Sequence, residues 1–95
     1  MRYIRVEWRH DDQDEPVMLL SELDDESYET RKIELFRDGR GGFADASESL
    51  PPTQLGLVPV PELREIAIFP EFRPEEITKA EFERAWESAR AAVRT

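Results

Sequence analysis

Residues 2–9 read RYIRVEWR, a segment in which large apolar side chains alternate with mostly polar ones. A period of two is typical of a β-strand because successive side chains point to opposite faces of a sheet. One predicted face carries the apolar residues Ile4, Val6 and Trp8. The other predicted face carries Tyr3, Arg5 and Glu7. We therefore expect a half-buried strand whose Ile4 face lies against the core.

Three further strands are predicted in the amino-terminal half. They cover residues 17–23, 28–37 and 40–46. A loop at residues 10–16, HDDQDEP, follows the first strand, and Asp38-Gly39 separates the third from the fourth. An Asp-Gly pair favours a two-residue primed hairpin turn because it tolerates positive φ at both central positions. Short connections between consecutive strands predict a four-stranded antiparallel meander.

The carboxy-terminal half is predicted to contain a linker and two helices. The linker spans residues 47–60, where the pair Pro51-Pro52 excludes a helix and favours an extended path. Pro61 suits the first residue of a short helix, because its missing N–H would be unpaired at that position. Pro70 ends this element.

A longer amphipathic helix is predicted from about Lys79 to Val93. Thr78 and Glu81 match the capping box that satisfies backbone donors at a helix start. Apolar residues then recur at spacings of three and four, at Phe82, Ala85, Trp86, Ala89 and Val93. We expect this stripe to pack on the Ile4 face of the first strand.

The segregation of strands and helices predicts one α+β domain over residues 1–95. It divides into a strand-rich part at 1–46, the linker at 47–60 and a helical part at 61–94. The predicted architecture is a four-stranded antiparallel sheet packed by a short helix and a long C-terminal helix. A chain of 95 residues leaves no room for a second domain.

The charge balance limits the classes of partner. The chain has 13 Lys and Arg against 22 Asp and Glu, a net charge of -9, and no cysteine. A surface this acidic repels nucleic acid unless a basic stripe is present, and the cations here are scattered. The absence of thiols excludes disulfides, thiolate zinc sites and cysteine nucleophiles. The sequence shows neither an export signal nor a membrane span, so a cytoplasmic protein is expected.

The loop at residues 10–16 holds the densest group of acids. Its carboxylates are Asp11, Asp12, Asp14 and Glu15, the first set of candidate partner-binding residues, which would contact a basic protein surface. A meander places this loop and the 38–39 turn at the same end, with Arg37 and Arg40 near the acids. His10 beside these carboxylates also leaves a metal-dependent enzyme as an alternative, although the segment lacks the glycine and final glutamate of a calcium loop.

The sheet face pointing away from the long helix is also rich in apolar side chains. It is predicted to carry Tyr3, Met18, Leu20, Tyr28 and Phe36. Either residues 50–70 cover this face, or part of it stays exposed for self-association or for a partner. Tyrosine suits an interface because it combines a large apolar area with a polar group. The aromatic residues Tyr3, Tyr28 and Phe36 are the second candidate set.

The sequence contains no recognisable catalytic motif. The segment DGRGG at residues 38–42 lacks the lysine and hydroxyl residue of a phosphate loop, and no helix follows it. The serines lack a nucleophile-elbow motif, and His10 is the single histidine. We therefore expect a protein that is not an enzyme and needs no cofactor.

Several phrases together resemble a known family. They are YIRVEWRH, SELDDESYETRKIELFRDGR, LGLVPVPELREIA and EEITKAEFERAWE. They are similar to a family of small bacterial proteins that forms a domain of unknown function, over nearly the whole chain. The resemblance implies a stand-alone cytoplasmic bacterial protein and assigns no activity. Compact acidic domains of this size also include immunity and antitoxin-like binders, an analogy of size and charge alone.

The sequence thus predicts a small acidic, non-catalytic domain that binds a protein partner. The first alternative is a homo-oligomer that uses the outer sheet face, and the second is a metal-dependent enzyme built around His10. Binding to nucleic acid or to a membrane is not expected.

Overall fold

An antiparallel sheet of five strands, with one long helix on one face, organises the computed structural model, which describes residues 1–50 and 53–93. The elements are β1 Arg2–Trp8, β2 Met18–Leu23, β3 Glu29–Leu35, β4 Gly41–Asp45, α1 Leu63–Ile66, β5 Phe72–Glu76 and α2 Lys79–Val93. The strand order is β4-β3-β2-β1-β5. The α+β class and the antiparallel meander of β1 to β4 are confirmed, although the sheet has five strands. Pro51, Pro52, Arg94 and the side chain of Val93 lie outside the described residues.

The prediction of four strands is wrong because β5 joins the other side of β1. Its sequence, FRPEE, is charged and contains a proline, which hides it from a search for apolar alternation. The Ile77 N–H donates to the Tyr3 carbonyl, and Pro74 lies opposite Val6. Alternation along the ladder therefore turns the missing N–H of Pro74 towards the outer edge, where proline is tolerated. This edge is poorly suited to pairing with another strand.

Helix α2 matches its predicted bounds. The Thr78 hydroxyl accepts from the Glu81 N–H at 3.1 Å, and the Glu81 carboxylate accepts from the Thr78 N–H at 3.3 Å. This is the reciprocal capping box expected from the sequence. The bonds from Thr78 lower the pKa of Glu81, because they favour the charged carboxylate.

The predicted docking of α2 on the Ile4 face is wrong. The helix packs on the opposite face, where Phe82, Trp86 and Ala89 meet side chains from four strands. Those side chains are Tyr3, Leu20, Ile33 and Phe43. Alternation separates two faces of a strand but does not say which one a helix takes when both carry large apolar residues.

The Ile4 face is covered by the described part of residues 50–70, the segment that was expected to cross the Tyr3 face. Ile4, Val6 and Leu23 form a second buried cluster. Half-buried side chains of the linker, α1 and β5 pack on it, namely Val60, Leu63, Ile66 and Phe72. The prediction that residues 50–70 cover the Tyr3 face is therefore wrong, because α2 covers that face and the described part of the segment packs on the Ile4 face.

The β3–β4 turn is not the two-residue primed turn predicted. Gly39 has φ +94°, whereas Asp38 is not among the residues with positive φ. The Gly39 N–H donates to the Phe36 carbonyl at 3.1 Å, and the Phe36 N–H donates to the Arg40 carbonyl at 2.8 Å. These bonds indicate a type I turn followed by a left-handed glycine, the common longer hairpin connection.

Gly42 on β4 lies directly beneath Thr53, which is fully buried. The Thr53 hydroxyl donates to Glu34 at 2.7 Å and so fixes the linker against the sheet. A methyl group at position 42 would overlap this hydroxyl and lie 3.1 Å from the Thr53 Cβ. The close approach explains a glycine in the middle of a strand.

Gly42→Ala is therefore expected to lower the free energy of unfolding by about 1–3 kcal/mol, the usual cost of overpacking. Gly41→Ala is the matched control, because its methyl group would meet Leu35 at an ordinary 3.6 Å. Urea unfolding of both variants measures the difference. Equal midpoints for the two would contradict the close packing of Thr53 on Gly42.

Candidate functional site

The acidic loop, residues 10–16, lies beside the β3–β4 turn as predicted. The Arg37 guanidinium donates to the His10 carbonyl, and Arg40 donates to the Gln13 carbonyl at 3.4 Å. The two connections therefore share one end of the sheet, which confirms the meander geometry. The arginines bind backbone carbonyls of the loop and leave its carboxylates to face solvent.

His10 holds the acidic loop in shape. The Asp12 N–H donates to the imidazole Nδ1 at 3.0 Å, so this nitrogen acts as the acceptor. Nε2 lies 2.7 Å from the Pro16 carbonyl and donates to it in that tautomer. The ring also packs edge-on against Trp8, with 4.5 Å between the centroids. Both nitrogens are thus used within the loop.

The four carboxylates of the acidic loop do not gather into a metal site. Asp11, Asp12, Asp14 and Glu15 are all exposed. Asp12 accepts from the Asp14 N–H at 2.9 Å, which turns the loop at that point. Within residues 1–50 and 53–93, no group of three or more His, Cys, Asp or Glu is arranged to hold a metal ion. The arrangement provides a solvated negative surface.

The second candidate set does not form one surface. Tyr3 is buried under α2, 5.3 Å from the Phe82 ring. Phe36 is buried beneath the Arg40 guanidinium, which lies 5.0 Å from its ring centroid. Tyr28 is exposed. These aromatic residues are core and turn residues, apart from Tyr28.

A buried ion pair between β2 and β3 was missed at the sequence level. The Arg31 Nε donates to Glu22 at 2.9 Å, and a terminal nitrogen donates to the other carboxylate oxygen at 2.6 Å. Thr30 donates to the same carboxylate at 2.7 Å, and Glu83 on α2 contacts Arg31 from above. The bonds from Arg31 lower the pKa of Glu22 to about 2 from its usual 4.5. Within the described chain every buried side-chain polar atom has a partner, and this cluster joins β2, β3 and α2.

An apolar cleft of about 380 Å³ opens on the Ile4 face, between the sheet and α1. Its floor is β1 and β2, and its walls are the linker, α1 and β5. The residues that line it are Ile4, Val6, Leu19, Ser21, Glu29, Val60, Pro61, Glu65, Ile66, Phe69 and Phe72. Within residues 1–50 and 53–93, no lysine, arginine or histidine lines the cleft. A volume in this range is typical of a small-ligand or side-chain pocket.

Four exposed hydrophobic residues lie in the segment that walls the cleft, and we call them the apolar rim. They are Leu57, Val58, Ile68 and Phe69, with 92%, 70%, 74% and 56% of their surfaces exposed. Leu57 and Val58 precede Val60 in the linker, and Ile68 and Phe69 follow α1. The sequence signal was present in LGLVPV, an apolar stretch without strand pairing, but it was interpreted only as an extended piece.

Glu29 fixes the linker at the polar side of the cleft. Its carboxylate accepts from the Ser21 hydroxyl at 2.8 Å and from the Gly56 N–H at 2.7 Å. Lys32 lies 3.7 Å from the same carboxylate, which is only 7% exposed. The second acid of the cleft, Glu65, is exposed. Glu29 is therefore a structural anchor, whereas Glu65 is available to a bound group.

A row of ring contacts joins the acidic loop to the cleft. His10 packs on Trp8 at 4.5 Å, and Trp8 lies 5.7 Å from Phe72 between centroids. Phe72 in turn lies 6.4 Å from Phe69 of the apolar rim. The acidic loop and the apolar cleft are thus neighbouring parts of one surface. No pattern in the sequence connects them.

Comparison with protein families assigns the chain to one of them. The model of the family described as "Domain of unknown function (DUF6881)" matches residues 2–91, so the chain belongs to this family. Neither a curated protein nor a solved structure matches it. Over residues 1–50 and 53–93, no helix combines the length and apolarity needed to cross a bilayer.

Proposed function

We propose that this member of the family is a non-catalytic domain that binds a protein partner with a basic contact surface. The observation that carries the proposal is an apolar cleft beside an acidic loop, together with the apolar rim exposed on the segment that walls the cleft. Small monomeric proteins seldom expose several large apolar side chains together, and such patches usually mark contact sites. An apolar patch with polar surroundings has the composition of a protein interface.

The charge of the molecule favours a different protein over a second copy of this chain. Two copies would bring together chains that each carry a net charge of -9. Strand addition is also disfavoured at both ends of the sheet. Pro74 removes a donor from the β5 edge, and at the β4 edge the Leu50 N–H already donates to the Phe43 carbonyl at 2.9 Å. A basic partner avoids the charge repulsion and can bind through the cleft without adding a strand.

The acidic loop supports this choice. Asp11, Asp12, Asp14 and Glu15 stay solvated at one end of the surface that holds the cleft. Charges at the edge of an interface accelerate encounter and select against partners of like charge. An immunity or antitoxin-like role, in which the partner is a basic toxin domain, belongs to this class of function.

A double variant, Val58→Ser with Ile68→Ser, tests the proposal. Both side chains are at least 70% exposed, so the fold should be unaffected. We expect partner affinity to fall at least tenfold, because each buried aliphatic side chain contributes about 1.5–3 kcal/mol and 1.4 kcal/mol is tenfold. Leu35→Ser on β3, 37% exposed, is the matched control and should leave binding unchanged.

The measurement starts with affinity capture from the native cell and mass spectrometry. The captured protein is then purified and titrated calorimetrically against the wild-type chain and both variants. Weaker binding at higher salt is expected for a basic partner. Equal affinity of the rim variant and the wild type would overturn the proposal, as would sedimentation showing that the rim only joins two copies of this chain.

A further inference from the structure

We infer that the apolar cleft is a preformed socket for one large apolar side chain of the partner, tryptophan or leucine, that has a lysine or arginine next to it. This inference rests on the proposed function and names the feature that the surface recognises. Its basis is the shape, the lining and the charge of the cleft.

The cleft is large enough to admit the bulkiest side chain. Its volume is about 380 Å³, and its wall is mainly aliphatic and aromatic, with Ile4, Val6 and Phe72 buried or half-buried. Pockets that receive an anchor residue at an interface are dry, preformed and central, and they dominate the binding energy. The walls are fixed, because Glu29 holds the linker at Gly56 and the Val60 N–H donates to the Ser27 carbonyl at 2.8 Å.

The charge of the cleft selects the neighbour of that side chain. Among the described residues, the lining of the cleft includes two carboxylates and no cation. Glu29 is already bonded to Ser21 and Gly56, whereas Glu65 is exposed, and Arg64 next to it pairs with Glu62 at 2.8 Å. A partner cation beside the anchored side chain would meet Glu65. An anionic neighbour would be repelled by Glu65 and by the acidic loop.

The probe is the acetylated and amidated peptide Gly-Ser-Trp-Lys-Ser-Gly. Two comparison peptides replace its tryptophan by serine or its lysine by glutamate. Titration followed by amide NMR should give a dissociation constant near or below about 1 mM. The largest shifts should fall on Leu19, Val60, Ile66 and Phe69, which line the cleft. We expect each comparison peptide to bind at least several-fold more weakly, with the serine peptide the weakest.

Two variants separate the socket from the remaining surface. Val60→Trp fills the cleft and should abolish the shifts at Leu19 and Ile66, after a thermal melt has shown that the variant folds. Glu65→Lys should weaken the tryptophan–lysine peptide about two- to fivefold, the usual range for an exposed ion pair. Glu87→Lys on α2 makes the same change in net charge away from the cleft and should have no effect.

The outcomes distinguish the socket from the proposed function. If the captured partner binds Val60→Trp normally but loses affinity for the Val58→Ser, Ile68→Ser variant, the socket is wrong and the proposed function stands. If both variants bind the partner normally, both are wrong. The socket is also overturned by equal affinity for the tryptophan–glutamate peptide, by the absence of shifts at the cleft, or by tryptamine binding there more tightly than the peptide.

Discussion

Trp86→Ala should lower the free energy of unfolding by about 3–5 kcal/mol, the usual cost of deleting a buried aromatic side chain. Trp86 is 7% exposed and joins α2 to the sheet. Its ring lies edge-on to Phe43 with 5.5 Å between centroids, and it stacks with Phe82 at 6.3 Å. The Arg31 guanidinium lies 5.1 Å from the same ring. The substitution therefore removes packing from both layers and leaves a cavity between them.

Leu57→Ala is the matched control, because it also truncates a large apolar side chain but at a position 92% exposed. Its effect on stability should stay within about 0.5 kcal/mol. Thermal melts should show Trp86→Ala at least ~12 °C below wild type, since 1 kcal/mol corresponds to roughly 4–8 °C in a domain of this size. A Trp86→Ala melt close to that of Leu57→Ala would contradict the placement of α2 on the sheet.

Local signals in the sequence were enough to define most elements. The capping box at Thr78 and Glu81 and the stripe through Phe82 and Trp86 gave the bounds of α2. The alternation in the first half gave four strands in the right order. These features depend on neighbours within a few residues, which a single sequence displays directly.

The sheet face on which α2 packs could not be predicted from such local signals. Tyr3 and Leu20 offer α2 an apolar surface on one face, and Ile4 and Val6 offer another. Arg5 is charged and lies on the Tyr3 face, which argued against burial of that face. In the structure it pairs with Glu75 of β5. That pairing depends on a strand 70 residues away in sequence and on a proline-containing segment with no alternation.

The apolar cleft was hidden for a related reason. Leu19, Val60, Ile66 and Phe72 come from four separate segments, and no spacing in the sequence connects them. The candidate acids of the loop lie within a few residues of one another in the sequence. Their predicted position beside the β3–β4 turn is confirmed. Burial of charge was also hidden, because alternation puts Glu22 on a sheet face without showing that a helix covers it.

Arg31→Met is the second substitution expected to have a large effect, about 3–5 kcal/mol at neutral pH. It leaves the Glu22 carboxylate, only 7% exposed as a residue, without its main partner. The double variant Arg31→Met with Glu22→Met removes both charges and should be more stable than Arg31→Met alone. Loss of one partner is costly because a buried charge stays uncompensated, whereas loss of both allows apolar packing under α2.

The contribution of Glu22 to stability depends on pH, and the direction of this dependence can be predicted. The pKa of Glu22 is about 2 in the folded protein against a usual 4.5, so the native state favours the charged form. Its contribution, on the order of 2–3 kcal/mol, is complete above the unfolded pKa and is lost as pH falls from about 5 towards 2. The cost of Arg31→Met should therefore shrink in acid, because the wild type loses part of this contribution while Glu22 in the variant, without Arg31, takes up a proton and leaves no buried charge. Urea unfolding at pH 7 and at pH 3 measures the cost of Arg31→Met at each pH. The control is Arg90→Met, which removes a partly exposed arginine that pairs with Glu48 and so tests the general loss of a positive charge. An Arg31→Met cost that is the same at both pH values would show that Arg31 acts through its packing on Phe82 and Trp86 and not through Glu22.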